Sequence, residues 1–361
     1  HGSNLLKSLL AEDKAADIRF WGGDQMKEIA GAPVKHIKDL AFMGFVEVVA
    51  NLRTILRNIS FCKKDILEFA PDALILIDYP GFNLRIAAFA KKHGIKVHYY
   101  ISPQIWAWKQ NRVHKIKRCV DEMYCILPFE KAFYKKFDQD VHYVGHPLVD
   151  AIQNFQQSAL SNEAFRKEFE IGNKKILALL PGSRLQEIKS KLPIMLAAAK
   201  HFGEMEILVA GAPNIAPEYY KNLAGSTPIK VIPNRTYDVL NQAHLAMVTS
   251  GTATLETALF KVPQVVCYKG NPISVAIARR LIKVKYISLV NLIMDKEVVK
   301  ELIQDDLNEA NIKQELLPML DTDSPERKAL LTAYNELENI LGGGGASDKV
   351  ASLLVEHILP K

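Results

Sequence analysis

The sequence predicts an α/β protein built from two Rossmann-like domains, each with a parallel sheet, facing one another across a cleft. Three observations predict it. Short β-branched or aromatic runs alternate with longer amphipathic stretches, the pattern of parallel sheets covered by helices on both faces. The alternation is broken once, around Gly145-His146-Pro147 and the polar stretch after it. A length of 361 residues favours two hydrophobic cores over one.

The elements follow in order. Residues 4–10 read as a helix, with Leu5, Leu6, Leu9 and Leu10 on its apolar side. A strand is expected to precede that helix, so the first domain is expected to lack its first strand over the sequence as it stands. Strands are expected at residues 18–21, 73–78, 96–101, 122–126 and 141–144. A second series is expected at 175–180, 206–210, 229–232, 244–248, 264–268 and 286–289. The domains are therefore 1–150 and 151–341, followed by a terminal segment, 342–361. In that segment the glycine run 342–345 is flexible by composition and a last helix spans 348–359. The helix is expected to cross back toward the first domain; a disordered surface loop is an equal reading of the glycines.

Composition narrows the function. Hydrophobic residues make up 48% and charged residues 24%, enough for packed cores. A net charge of +6 favours anionic partners, whether phosphates, nucleotides or acidic lipid surfaces. The cysteines, Cys62, Cys119, Cys125 and Cys267, form no CxxC pair, which argues against a zinc ribbon or a thioredoxin-like site and for a reduced, intracellular protein. No apolar run reaches the roughly 20 residues of a membrane-spanning helix. Nucleic acid is not an expected partner, since no RRM, KH or zinc-finger signature is present.

Two loops carry the signature of phosphate binding. Leu180-Pro181-Gly182-Ser183-Arg184 ends a strand with a small-residue turn, whose N–H groups can face an anion, and adds an arginine fork. Its bland reading is an ordinary strand–helix turn. Thr249-Ser250-Gly251-Thr252-Ala253-Thr254-Leu255-Glu256 ends another strand. Ser250, Gly251 and Thr252 suit a phosphate at a helix N-terminus, and Glu256, one turn on, can accept both hydroxyls of a ribose. Alone it reads better as a helix capped by Ser or Thr with Glu in its first turn; two such loops in one domain favour a nucleotide.

A third motif, Ile77-Asp78-Tyr79-Pro80-Gly81-Phe82-Asn83, places a carboxylate at the C-terminal end of an apolar strand, where open parallel sheets bind ligands. Asp78 can accept a proton from an attacking hydroxyl, or simply cap the next turn. No acidic residue lies between Asp78 and Asp121, or between Glu256 and Asp295, while both blocks are rich in Lys and Arg. Such blocks are either solvated faces or a bed for phosphates and anionic lipid heads. Residues 41–57 form an apolar, arginine-bearing stretch too short to span a bilayer. Val46, Val48, Val49, Leu52, Ile55 and Leu56 would sit in the membrane interface or in a core. In Ser102-Pro103-Gln104-Ile105-Trp106-Ala107-Trp108-Lys109, the tryptophans either pack on a sugar or a membrane edge or belong to the core.

These motifs, together with Leu127-Pro128-Phe129-Glu130-Lys131, Gly145-His146-Pro147 and Val290-Asn291-Leu292-Ile293, occur in an order that resembles the lipid-A-disaccharide synthase family over essentially the whole length. The resemblance implies a GT-B fold and an inverting hexosyl transfer. UDP-2,3-diacylglucosamine would be the donor, 2,3-diacylglucosamine 1-phosphate (lipid X) the acceptor, and the lipid A disaccharide phosphate and UDP the products. It implies Asp78 and Arg184 as the catalytic pair, and Gly182, Ser183, Ser250, Gly251, Thr252, Glu256 and Asn291 as the UDP-sugar site. It also implies a peripheral enzyme on the cytoplasmic face of a Gram-negative inner membrane, a homodimer, and no cofactor or metal. No Asp-Xaa-Asp motif is expected in the cleft-forming loops; Asp138-Gln139-Asp140 falls in a connecting turn. The alternatives are a UDP-sugar 2-epimerase of related fold, which needs neither a second sugar nor a membrane, and a non-catalytic module that binds nucleotide sugars or anionic lipids.

Overall fold

The structure, a computed structural model, describes residues 1–39, 51–272, 275, 280 and 284–358. Val46, Val48 and Val49 lie outside the described residues. The chain divides into two compact units: His1–Pro147 with Gly343–Lys361, and Leu148–Gly342.

The first unit opens with helix α1 (Gly2–Glu12), which buries Leu5 and Leu6. A short parallel pair follows, β1 (Trp21–Gly22) with β2 (Lys35–His36), flanking α2 (Asp24–Ala30). Only the end of the strand expected at 18–21 is paired. Helix α3 (Leu52–Phe69) leads to β3 (Ala73–Ile77), α4 (Pro80–Lys92), β4 (Lys96–Tyr100), α5 (Val113–Cys119), β5 (Glu122–Cys125), α6 (Pro128–Lys135) and β6 (His142–Tyr143). The four strands β3 to β6 pair in sequence order, all parallel.

Helix α7 (Pro147–Ser158) and α8 (Asn162–Glu168) begin the second unit. Its strands are β7 (Ile176–Leu180), β8 (Glu206–Gly211), β9 (Lys230–Pro233), β10 (Leu245–Thr249), β11 (Gln264–Tyr268) and β12 (Lys300–Ile303). Between them lie α9 (Leu185–Ala199), α10 (Pro217–Ala224), α11 (Thr236–Gln242), α12 (Thr252–Leu259) and α13 (Leu289–Met294). The parallel sheet runs β12-β11-β10-β7-β8-β9. In chain order this is the Rossmann arrangement, and the direction of winding reverses between β7 and β10. Strand alternation builds a core on each face. Leu177 and Leu179 join one cluster with Met195 and Val265, while Ile176, Ala178 and Leu180 join another with Phe165 and Val239.

The strand expected at 286–289 is not formed. Ser288 instead caps α13, its side chain accepting the Asn291 N–H at 3.3 Å, and the sixth strand is β12. β12 is an edge strand, and it carries the exposed Lys300 beside Glu301, whose carboxylate accepts the Ile287 and Ser288 N–H groups.

Helices α14 (Glu309–Leu316) and α15 (Pro325–Leu341) complete the second unit. The chain then turns at Gly342 (φ 77°) and Gly345 (φ 87°), left-handed positions that glycine adopts without strain. It returns to the first unit as α16 (Ala346–Ile358). There α16 lies along α1, and Val350, Ala351 and Leu354 pack with Leu5, Tyr100, Tyr124 and Val144 in one core.

Candidate active site

In the first unit, the Asp78 motif and the tryptophan motif 102–109 meet. Asp78, Pro80, Ile101, Ser102, Gln104, Trp108, Lys109 and Arg112 line one cavity of about 350 Å³. Asp78 follows β3 directly, with φ at 47°, and Tyr79 follows at 45°. Two successive left-handed residues other than glycine are strained, and the strain is held by hydrogen bonds. The Asp78 carbonyl accepts from the Tyr99 hydroxyl at 2.5 Å and from the Asn83 amide at 2.7 Å, and its N–H donates to Tyr100 at 3.0 Å. These bonds fix the carboxylate beyond the sheet. Burial raises its pKa above the ordinary carboxylate range, against the lowering effect of the Tyr79 backbone N–H.

The two tryptophans divide. Trp106 is core, its indole N–H donating to Glu130 at 3.2 Å; Trp108 is 40% exposed on the cavity wall. The Lys109 ammonium stands 4.3 Å from the Trp108 ring centre and the Arg112 guanidinium 5.7 Å. Part of the basic block is engaged elsewhere: Lys91 pairs with Asp121, Lys96 with the His357 carbonyl and Lys117 with the Phe137 carbonyl. Lys109 and Arg112 are thus the cations of the block that line the cavity.

In the second unit, both phosphate-type loops leave the C-terminal ends of adjacent strands, β7 and β10, at the point where the winding reverses. Open α/β sheets bind nucleotides there. Gly182 has φ 124°, and a Cβ at this position would lie 2.5 Å from the Glu187 carboxylate. That carboxylate accepts the Ser183 N–H at 3.1 Å and pairs with Arg184 at 3.1 Å. Below it, on the next turn of α9, burial lowers the Lys191 ammonium pKa while Glu187 opposes the shift.

The second loop is not capped by Ser or Thr. Gly251 is the N-cap (φ 147°) with no side-chain bond, so that reading gives way. Ser250 instead donates to the Ile287 carbonyl at 2.9 Å, and Thr254 to the Gly251 carbonyl at 2.8 Å. Glu256 accepts from the Tyr237 hydroxyl at 3.1 Å, and burial raises its pKa. Asn291 is fully buried. Its amide donates to Val299 O (2.8 Å) and Glu301 (2.9 Å), and its oxygen accepts from Val298 N (2.8 Å) and Val299 N (3.0 Å). All four of its side-chain hydrogen-bonding positions are used in holding the loop before β12, so its side chain serves that loop.

A further Asp-Xaa-Asp, Asp321-Thr322-Asp323, escaped the motif reading. It follows Leu320, whose carbonyl is bonded by Lys175 and His244 at the starts of β7 and β10, the end of the sheet away from the loops. Asp321 accepts the Asp323 N–H at 2.9 Å and Asp323 pairs with Lys328 at 3.0 Å. Sequence reasoning also missed Glu187, Tyr237, Tyr99 and Lys191. Only Glu187 and Lys191 left a trace: a carboxylate three residues after Arg184, and a lysine on the apolar side of its helix.

The profile described as lipid-A-disaccharide synthetase matches residues 1–341. The chain belongs to the lipid-A-disaccharide synthetase family. It is 37% identical over 365 residues to the lipid-A-disaccharide synthase of Trichlorobacter lovleyi, covering 99% of this chain and 94% of that one. It is 40% identical over 367 residues to the lipid-A-disaccharide synthase of Nitrosococcus oceani, covering 98% and 92%. Membership in the lipid-A-disaccharide synthetase family makes it a glycosyltransferase of lipid A disaccharide synthesis. Among solved structures, the UDP-GlcNAc 2-epimerase from Neisseria meningitidis bound to UDP-GlcNAc superposes with a TM-score of 0.67 at 14% identity, covering 98% of this chain and 97% of that one. The glycotransferase of kitacinnamycin superposes at 0.62 with 13% identity, covering 99% and 95%. These two share the GT-B fold; the epimerase reading of function is not favoured.

Proposed function

We propose that the chain condenses UDP-2,3-diacylglucosamine with lipid X at a membrane surface. The 6-hydroxyl oxygen of lipid X bonds to the donor's anomeric carbon from the face opposite UDP. The carbon–oxygen bond to the diphosphate breaks with its electrons, UDP leaves, and the hydroxyl proton passes to the Asp78 carboxylate. Inversion follows from the single displacement.

Arg184 and the N–H groups around Ser183, Gly251 and Thr252 stabilise the charge that develops on the diphosphate. Gly182 allows the close turn. Glu256, steadied by Tyr237, accepts the ribose hydroxyls. With an arginine and helix ends in that role the reaction needs no metal. In the cavity, Lys109 and Arg112 suit the 1-phosphate of lipid X, and Trp108 offers an apolar wall to its sugar. The single observation that carries the reading is this pairing of a strained, hydrogen-bond-clamped Asp78 with two cations in one cavity.

Membrane association rests on α3. Leu52 is 50% and Leu56 51% exposed on a helix that also presents Arg53 and Arg57 to solvent. No described helix is long and apolar enough to cross a membrane, so α3 is read as an interfacial anchor on the cytoplasmic face of the inner membrane. The test is UDP release from the diacylated donor in detergent, with and without lipid X; release that depends on lipid X supports the transferase. Light scattering of the same preparation reads the homodimer that the reading includes.

A further inference from the structure

On the face of the β3–β6 sheet that α16 covers, the strands present polar residues at one edge. Alternation puts His98 with Tyr100 on β4, and Glu122 with Tyr124 on β5, toward the same side; His98 pairs in register with Glu122, and Tyr124 with His142. Tyr100, Tyr124 and Val144 bury themselves beneath α16. Toward the starts of β5 and β6 that apolar contact gives way to Glu122 and His142, and the last turn of α16 brings His357 onto them.

Ring nitrogens of His142 and His357 and a carboxylate oxygen of Glu122 lie within 4.8 Å of one another. His142 Nε2 is 2.8 Å from one Glu122 oxygen and His357 Nε2 is 3.8 Å from the other. A tetrahedral zinc ion with bonds of about 2.0–2.2 Å holds its ligand atoms roughly 3.3–3.6 Å apart. The cluster therefore reaches that geometry with side-chain shifts of about an ångström.

A second observation is independent of these distances. The Nδ1 of His357 and the Nε2 of His98 are both buried with no hydrogen-bond partner. The His98 ring lies 6.2 Å from that of His357. Its other nitrogen, Nδ1, is held by the Tyr124 hydroxyl at 2.9 Å. Buried polar atoms are nearly always satisfied, and the His357 ring, one of the three grouped side chains, has a buried nitrogen with no protein partner, while His98 beside it lies outside the group. The last turn is itself anchored, the Lys96 ammonium donating to the His357 carbonyl at 2.6 Å.

We propose that Glu122, His142 and His357 form a binding site for a divalent transition metal, zinc by preference, that fastens the returning C-terminal helix to the first unit's sheet. Two imidazoles and one carboxylate suit zinc, cobalt or nickel; the oxygen-seeking magnesium and calcium would not compete. Three protein ligands leave a fourth position, and the half-exposed edge admits water to it. The site lies toward the starts of the strands, whereas Asp78 follows the end of β3, so its role is stability of the unit and not the transfer.

The experiment uses the full chain stripped with a chelator and then titrated with zinc chloride, magnesium chloride or calcium chloride. Calorimetry and the unfolding temperature are the readouts, and circular dichroism checks the fold. The expected result is one zinc per chain with micromolar or tighter affinity, a rise of about 5 °C at saturation, and no effect of magnesium or calcium. His142→Gln and His357→Gln should each weaken zinc at least about tenfold and abolish the rise. Cobalt added to the unmutated chain should give the intense visible absorption of a tetrahedral site, a test that needs no variant to fold. A folded chain that binds no zinc, or zinc affinity unchanged in both folded variants, would overturn the proposal and leave Glu122 bridging two histidines as an ion-pair cluster.

Discussion

The carboxylate of Glu187 accepts the backbone N–H of Ser183 at 3.1 Å, so the donor that the loop after β7 offers to an anion is engaged by the protein's own anion. The same carboxylate pairs with Arg184 at 3.1 Å. In the proposed function a diphosphate must take over both donors. Glu187→Gln removes the competing charge while keeping the side chain's length. UDP is expected to bind about fivefold more tightly to that variant, a change of roughly 1 kcal/mol. Calorimetry with UDP checks it; binding that weakens would show Glu187 to be a support of the site and not a competitor.

Arg184→Ala should lower kcat by about 10²–10³, since it removes a charge aimed at the departing diphosphate. The loss should fall on turnover more than on the donor KM. Steady-state kinetics with the donor varied separates the two, and near-normal turnover would take Arg184 out of the mechanism.

Asp78→Asn should reduce kcat/KM by roughly 10²–10⁴. The pH profile is the sharper readout. The base works ionised, and burial raises the Asp78 pKa. Activity should therefore fall, as pH is lowered, at a higher pH than an ordinary carboxylate of about 3.9 would give. The residual activity of Asp78→Asn should lack that acid limb. Tyr99→Phe, which removes one of the two side-chain hydrogen bonds to the Asp78 carbonyl, should lower kcat while preserving the limb.

Much of this was legible in the sequence, for physical reasons that differ by residue. Strands such as β7 and β10 are buried on both faces and read as apolar runs; Asp78 stands directly after the apolar β3 and Arg184 in the loop after β7, where a ligand must approach. β12 was not legible: half of Lys300-Glu301-Leu302-Ile303 is charged, as an edge strand allows. The run at 286–289 reads as a strand because aromatic Tyr286 and β-branched Ile287 are local signals, whereas the Ser288 cap and the grip of Glu301 on the backbone N–H groups of Ile287 and Ser288 are not. Tyr237 meets Glu256, and Tyr99 meets Asp78, only through the fold, and no spacing announces either.

Glu130 gives a stability prediction. It accepts the N–H of Leu127, the residue before α6, at 3.0 Å and also takes the Trp106 indole N–H. Burial pushes its pKa up to about 7, against the lowering effect of those hydrogen bonds. A carboxyl raised in the folded state binds its proton more tightly there than in the unfolded chain. Its contribution is complete below the unfolded value of about 4.3 and is lost as pH rises through about 7. Glu130→Gln keeps the acceptor and removes the charge. Its unfolding free energy should change less than that of the parent between those two limits, by on the order of 3 kcal/mol. Urea unfolding across that range checks it; parallel curves would show that Glu130 does not titrate there.

Replacing Leu52 and Leu56 together by Ser should release the chain from vesicles of anionic phospholipid with little change in unfolding temperature, since both side chains are about half exposed. Sedimentation with the vesicles checks it. Loss of the fold would instead place the two leucines in a core.

The most direct test of the central claim is UDP release from UDP-2,3-diacylglucosamine, measured with and without lipid X, with the sugar products identified by mass spectrometry. The account predicts release that depends on lipid X and yields a disaccharide carrying one phosphate, and that falls by at least about a hundredfold in Arg184→Ala. UDP released at the same rate without lipid X, or a UDP-sugar epimer formed in place of the disaccharide, would contradict it.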